Sequence, residues 1–157
     1  MKSTIILATD GSEFADAAAR FIAEGTLLGS DPIVHLVTVA TDVPLRMRGY
    51  FDKDTIDTWL RDTNVANLVS ACKILDDAGI PYEKHLLHGD AAEVIVELAE
   101  TVGASAVVMG RHGRGSFLDA IVGSVAGKVL ARAECPVILI KTDAPTGKES
   151  PAKNWKE

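Results

Sequence analysis

Residues 109–128, MGRHGRGSFLDAIVGSVAGK, hold five of the chain's 13 glycines, with Arg111, His112 and Arg114 set between the first three. Gly110, Gly113 and Gly123 follow the spacing G-x2-G-x9-G, and Ser124 comes directly after the last. Without a Cβ, glycine lets the backbone turn sharply and come close to a ligand. A helix opening at Gly123-Ser124 would offer free N–H groups and the positive end of its dipole to an anion. Ser124 adds a hydroxyl donor, and the two arginines and His112 add positive charge. Together these features suit a polyphosphate. A plainer reading is a glycine-rich turn followed by an ordinary helix cap. The phosphate reading is favoured by the apolar run before the loop, the helical pattern after it, and a second segment of unusual composition, Ala8-Thr9-Asp10-Gly11-Ser12.

Positioning these residues falls to short apolar runs that alternate with stretches of helical period. The runs are Ile5–Ala8, Ile33–Ala40, the weaker Tyr82–His88, Ser105–Met109 and Val137–Ile140. Most are continuous rather than alternating, as expected of strands buried on both faces of a parallel sheet. Between them, Ala15, Ala18, Ala19 and Ile22 form an apolar helical stripe. A second stripe is Ile56, Trp59, Leu60, Leu68, Val69, Cys72 and Leu75; a third is Val94, Ile95, Leu98, Ala99 and Val102. The fourth is Val122, Val125, Ala126, Val129 and Ala133. Gly79 before Ile80-Pro81 reads as a helix stop, Asp90 with Glu93 as an N-cap, and Cys135-Pro136 as the end of the fourth helix. The order β-α-β-α-β-α-β-α-β predicts a five-stranded parallel sheet with helices on both faces. Ligands of such folds bind beyond the carboxyl ends of the strands, where the strand order reverses. If strands 1 and 4 are neighbours there, the Asp10 segment and the glycine loop face each other across one crevice.

Other candidates are weaker. Gly123–Val129 imitates a Walker phosphate loop, but has three residues between its glycines rather than four, and Val129 stands where Ser or Thr must reach Mg²⁺. Lys128 then reads as a solvated helix residue. No G-x-G-x-x-G with an acidic residue about 20 positions on supports a dinucleotide site. His112 has no nucleophile or orienting carboxylate tied to it by spacing, so it reads as a solvent-facing or phosphate-contacting residue and no catalytic residue is assigned. His35, His85 and His88 share no ligand spacing, and no metal site is expected. Asp10 could hold Mg²⁺ through phosphates, though no second carboxylate accompanies it. Thr41–Lys53 is long for its place and reads either as a lid or as a disordered insertion.

The chain has 157 residues, 47% hydrophobic and 24% charged, with a formal net charge of −6. That fits one globular domain over residues 1–142 and disfavours a nucleic-acid or acidic-membrane surface. No run approaches the roughly 20 apolar residues of a membrane span. The N-terminal apolar stretch is too short for a signal peptide, so a cytoplasmic location is expected. Cys72 and Cys135 read as buried free thiols. Residues 143–157 read as a mobile tail, with Trp155 an unusual residue to leave in water.

Asp10-Gly11-Ser12 after strand 1, Gly89-Asp90, Val108-Met109-Gly110, the full G-x2-G-x9-G-S pattern and the closing Cys135–Ile140 resemble the universal stress protein family, in its ATP-binding branch. The likeness covers about residues 2–141. It implies a Rossmann-like fold of the adenine nucleotide alpha hydrolase kind, strand order 3-2-1-4-5, binding ATP or a related adenine nucleotide, with Mg²⁺ as a companion ion. By the same resemblance Asp10 would contact the ribose, and the backbone around Ala8 and Val39 would hold the adenine. Gly110, Gly113, Gly123, Ser124 and Val125 would hold ribose and phosphates. Thr9, Met109, Arg111, His112, Arg114, Gly115 and Ser116 complete the expected nucleotide-binding set. Two departures stand out: Ser105 where relatives often carry an acidic residue, and Ala126 where they often carry a second Ser. The resemblance implies a homodimer, and the last strand, Val137–Ile140, would be the apolar edge that a second copy covers; a folded-back tail is the alternative cover. Two function classes stay open, a nucleotide-responsive binding protein read by a regulatory partner and a slow ATP phosphohydrolase. AMP or cAMP also remain as ligands.

Overall fold

The computed structural model describes residues 2–25, 28–41, 48–113 and 122–142. In chain order its elements are β1 (Ser3–Ala8), α1 (Glu13–Ala23), β2 (Pro32–Ala40), α2 (Lys53–Asp77), β3 (Tyr82–His88), α3 (Ala91–Val102), β4 (Ala106–Gly110), α4 (Ser124–Arg132) and β5 (Val137–Ile140). Every strand pair is parallel, and the five strands stand in the order β3-β2-β1-β4-β5. The continuous apolar runs explain this arrangement: β1 and β4 have no solvated face, so both sides must be covered.

Alternation along the strands divides the core in two. Ile5 and Leu7 of β1, Val34 and Leu36 of β2, and Ala106 and Val108 of β4 pack against Ala18, Ala19 and Ile22 of α1 and Leu68, Ala71 and Leu75 of α2. Ile6, Ala8, Val37, Val107 and Met109 turn the other way, against Ala92, Ile95 and Ala99 of α3 and Ala126 and Val129 of α4. Each fully buried aliphatic side chain here contributes about 1.5–3 kcal/mol relative to exposure. The edge strands differ. β3 alternates half-buried with exposed positions, and all four residues of β5 are half-buried. That accounts for the weaker apolar signal of Tyr82–His88.

One helical stripe is not the buried one. In α2 the buried residues are Asn64, Leu68, Ala71 and Leu75. Trp59 and Val69 are 58% and 64% exposed, so the stripe that includes them is not the face that meets the core. The helix stop reads as expected: Gly79 has φ +67°, and the Ile80 N–H donates to the Leu75 carbonyl at 3.0 Å. Cys72 and Cys135 are unpaired, and are half-buried rather than buried. Among the described residues no helix is long and apolar enough to cross a membrane. The tail 143–157, including Trp155, and residues 42–47 of the long loop lie outside the described residues.

Candidate functional site

β1 and β4 are adjacent, in register Ile5↔Ala106 to Leu7↔Val108, so their carboxyl ends open onto one crevice. The segment leaving β1 is fixed by its own polar side chains. Thr9 donates its N–H to the Val37 carbonyl at 2.9 Å, and its Oγ1 accepts from the Gly11 N–H at 3.0 Å. Asp10 Oδ1 accepts from the Ser12 N–H at 2.9 Å, and Ser12 Oγ caps α1 by accepting from the Ala15 N–H. Gly11 takes φ +75° to allow this chain of turns.

Opposite, the chain leaving β4 is tied down through its backbone. The Arg111 N–H donates to the Ile140 carbonyl at 2.9 Å, and the Gly123 N–H donates to the Arg111 carbonyl at 2.8 Å. This second bond brings the start of α4 back beside the end of β4. Gly123 is the N-cap of α4 and, lacking a side chain, makes no side-chain cap bond. The first-turn amides of α4 have no acceptor within the helix, which leaves them available to an anion.

The glycines act through what their missing Cβ atoms admit. A Cβ on Gly113 would lie 2.7 Å from Asp10 Oδ2, so the two segments meet across the crevice at this point. Gly110 also serves packing. It is the last residue of β4, and a Cβ there would lie 2.8 Å from the Phe14 backbone of α1. The Cβ that Gly110 lacks would thus meet α1, while the residue itself also lines the cleft.

Of the expected residues, Ala8, Thr9, Asp10, Val39, Met109, Gly110, His112, Gly113, Gly123, Ser124 and Val125 line one cleft. Arg111 is not among the described residues that line it; its Nε is buried with no hydrogen-bond partner among the described residues. Arg114, Gly115 and Ser116 lie outside the described residues. Four further lining residues were not anticipated, Ala15, Val37, Ala91 and Ile95, and Ala126, noted above as a departure from the family pattern, lines the cleft too. Val37 was legible, because the alternation that turns Val39 to the cleft turns Val37 there as well.

Of the two readings of His112, solvent-facing or phosphate-contacting, burial leaves only the second. It is not solvent-facing but 5% exposed, held edge-on against Phe14 with ring centroids 5.7 Å apart. Neither ring nitrogen has a hydrogen-bond partner among the described residues. Buried nitrogens without partners carry a desolvation cost that a ligand oxygen would relieve. Lys128 behaves as a surface residue, 3.6 Å from the carboxylate of Asp90, which caps α3. The Glu93 backbone N–H, with help from Lys128, holds the Asp90 carboxyl below its ordinary range. The histidines also differ from the sequence reading. His35 and His85, which share no spacing in sequence, are 2.8 Å apart, because β2 and β3 are neighbours.

Comparison with known proteins fits this geometry. A sequence model of the universal stress protein family matches residues 1–141. A universal stress protein of Thermus aquaticus is 34% identical over 143 residues, covering 90% of this chain and 100% of that protein. One from Synechocystis is 31% identical over 137 residues, covering 87% of this chain; the chain spans only 42% of that longer relative. The solved structure of a Methanocaldococcus jannaschii universal stress protein matches with a TM-score of 0.78 at 25% identity, over 90% of this chain and 97% of that one. Two more share the fold with a TM-score of 0.63. One, a universal stress protein in complex with cAMP, is 24% identical over 89% of this chain and 97% of its own. The other, from Arabidopsis thaliana with AMP bound, is 19% identical over 90% and 93%. With the family's sequence model matched over residues 1–141 and this sheet order in place, the chain belongs to the universal stress protein family.

Proposed function

We propose that the cleft binds an adenine nucleotide, ATP or a close relative, and that the chain works as a nucleotide-responsive binding module. The observation that carries this reading is His112, buried at the cleft with both ring nitrogens unpartnered among the described residues, beside a helix start that has no side-chain cap. Phosphate or ribose oxygens answer both needs. The fold neighbours solved with cAMP and AMP support the ligand class. In this reading the apolar wall of Ala8, Val37, Val39, Ile95 and Met109 takes the base, and Asp10 takes the ribose hydroxyls. Gly113, Gly123, Ser124 and Val125 take the phosphates. Asp10 is the single carboxylate among the described residues that line the cleft, and in this reading Mg²⁺ travels with the phosphates.

Among the described residues no nucleophile is hydrogen-bonded to His112, and in this reading the site binds rather than hydrolyses. Ala126, buried in the first turn of α4 and lining the cleft, offers no hydroxyl and favours a ligand with fewer phosphates, AMP or cAMP, as the second reading. Mass spectrometry of nucleotide released from freshly purified protein tests the proposal and separates the ligands. Recovery of no adenine nucleotide, together with no uptake of added ATP, AMP or cAMP, overturns it. Phosphate release that continues beyond one equivalent would make the chain an ATPase instead.

The same reading takes β5 as a dimer edge, since Val137–Ile140 is an apolar outer strand only half-buried in the single chain. A second copy about a two-fold axis covers it, and a regulatory partner reads the nucleotide-bound pair. Light scattering on the full chain and on a form ending at Thr142 tests this. A full-length monomer that associates only after truncation assigns the cover to the tail.

A further inference from the structure

We propose that His35, Glu83 and His85 form a second site, one that binds a single divalent transition-metal ion of the zinc class. His35 lies on β2 and pairs in register with Glu83 of β3, while Val37 pairs with His85. Residues two apart on a strand share a face, so His35, Glu83 and His85 all project from the sheet face that also carries Val37 and Leu87. The parallel pairing therefore brings together three side chains that sequence separation keeps about fifty residues apart.

The donor atoms converge. His35 Nδ1 is 2.8 Å from His85 Nε2, which is 3.8 Å from Glu83 Oε1, and one ligand atom from each residue lies within 4.8 Å of the others. Zinc binds imidazole nitrogen at about 2.0–2.1 Å, which puts two ligands on one ion roughly 3.0–3.4 Å apart. The observed separations bracket that value. Closing them needs a small rotation of the imidazoles and a swing of Glu83, whose side chain is 67% exposed and free to move. His85 is more enclosed, with its side chain 17% exposed, so the ion would sit half-buried against β2.

Donor chemistry selects the ion. Two imidazole nitrogens and one carboxylate suit zinc, nickel or copper, and not magnesium or calcium, which require oxygen shells. Three protein ligands leave a position for water, so the ion would be exchangeable. A plain histidine–histidine hydrogen bond on an outer strand, with Glu83 as a charge partner 3.8 Å from His85, is the competing account, and the metal titration decides between the two. The site is separate from the nucleotide cleft but next to it: Val37, which lines the cleft, is two residues along β2 from His35, roughly 7 Å.

Titration calorimetry of EDTA-treated, dialysed full-length protein with zinc chloride tests the site, with cobalt absorption reporting ligand type. The expected result is one zinc per chain, no response to magnesium, and at least about tenfold weaker binding, about 1.4 kcal/mol, in His35→Asn and in His85→Asn. Glu83→Gln, on the exposed edge, should weaken zinc binding several-fold with the melting temperature of the metal-free protein unchanged, and decides the matter if either histidine variant fails to fold. A double Cys72→Ser, Cys135→Ser variant should bind zinc as the wild type does. No zinc binding by wild type, binding that Glu83→Gln leaves unaltered, or binding lost with the cysteines would each overturn the proposal.

Discussion

Gly113→Ala asks whether the two halves of the cleft are mechanically joined through Asp10. The added Cβ would stand 2.7 Å from Asp10 Oδ2, where ordinary contact begins at 3.4 Å, so the carboxylate must retreat by about 0.7 Å. It cannot do so freely, because its other oxygen accepts the Ser12 N–H at 2.9 Å, and a retreat of that size takes the bond to the limit of a useful length. Losing such a bond costs about 1 kcal/mol. For a chain of 157 residues that is a fall of about 3 °C in melting temperature. Asp10→Ala should cost a similar amount by removing the same bond. In the double variant the obstruction is gone, so Gly113→Ala should add almost nothing, giving a coupling of about 1 kcal/mol. Differential scanning calorimetry on the four nucleotide-free proteins measures this directly. Equal losses for Gly113→Ala in both backgrounds would refute the reasoning and make Gly113 a matter of local loop conformation.

Gly110→Ala should be worse for the fold, because its Cβ would meet the Phe14 backbone at 2.8 Å, and backbone has nowhere to go. A loss of about 1–3 kcal/mol is expected in thermal or urea unfolding; a variant as stable as wild type would reject the packing role. The Asp90 carboxyl, held below the ordinary 3.8 by the Glu93 N–H and then by Lys128, contributes stability that is present above pH 3.8 and lost as pH falls through its lower folded value. Asp90→Asn keeps a good N-cap but cannot titrate, so the drop in melting temperature between pH 7 and pH 3 should shrink. An unchanged drop would remove Asp90 from the acid response.

Much of the fold was legible because its signals are local and strong. Ala15, Ala18, Ala19 and Ile22 mark one face of α1 and all four are buried there. The runs Tyr82–His88 and Val137–Ile140 match β3 and β5 to the residue. Misreadings came where burial depends on what lies opposite. Trp59 and Val69 carry an apolar period, but the face of α2 that turns to the core is the one with Asn64, Leu68, Ala71 and Leu75. The packing role of Gly110 was hidden because sequence cannot show that Phe14 passes over the end of β4. The facing of the Asp10 segment and the Gly113 loop followed from topology, whereas the burial of His112 did not, since its cover comes from Phe14 of α1. His35 and His85 were missed for the same reason: cross-strand neighbours have no sequence spacing until the strand order is known.

Equilibrium binding of ATP, AMP and cAMP to purified wild-type protein and to Gly113→Val, followed by titration calorimetry, addresses the central claim most directly. A branched side chain at Gly113 would project at Asp10, where the nucleotide is proposed to sit. The account predicts one adenine nucleotide per wild-type chain and at least about tenfold weaker binding, about 1.4 kcal/mol, in a variant shown to be folded. No binding by wild type, or equal affinity in the folded variant, would contradict it.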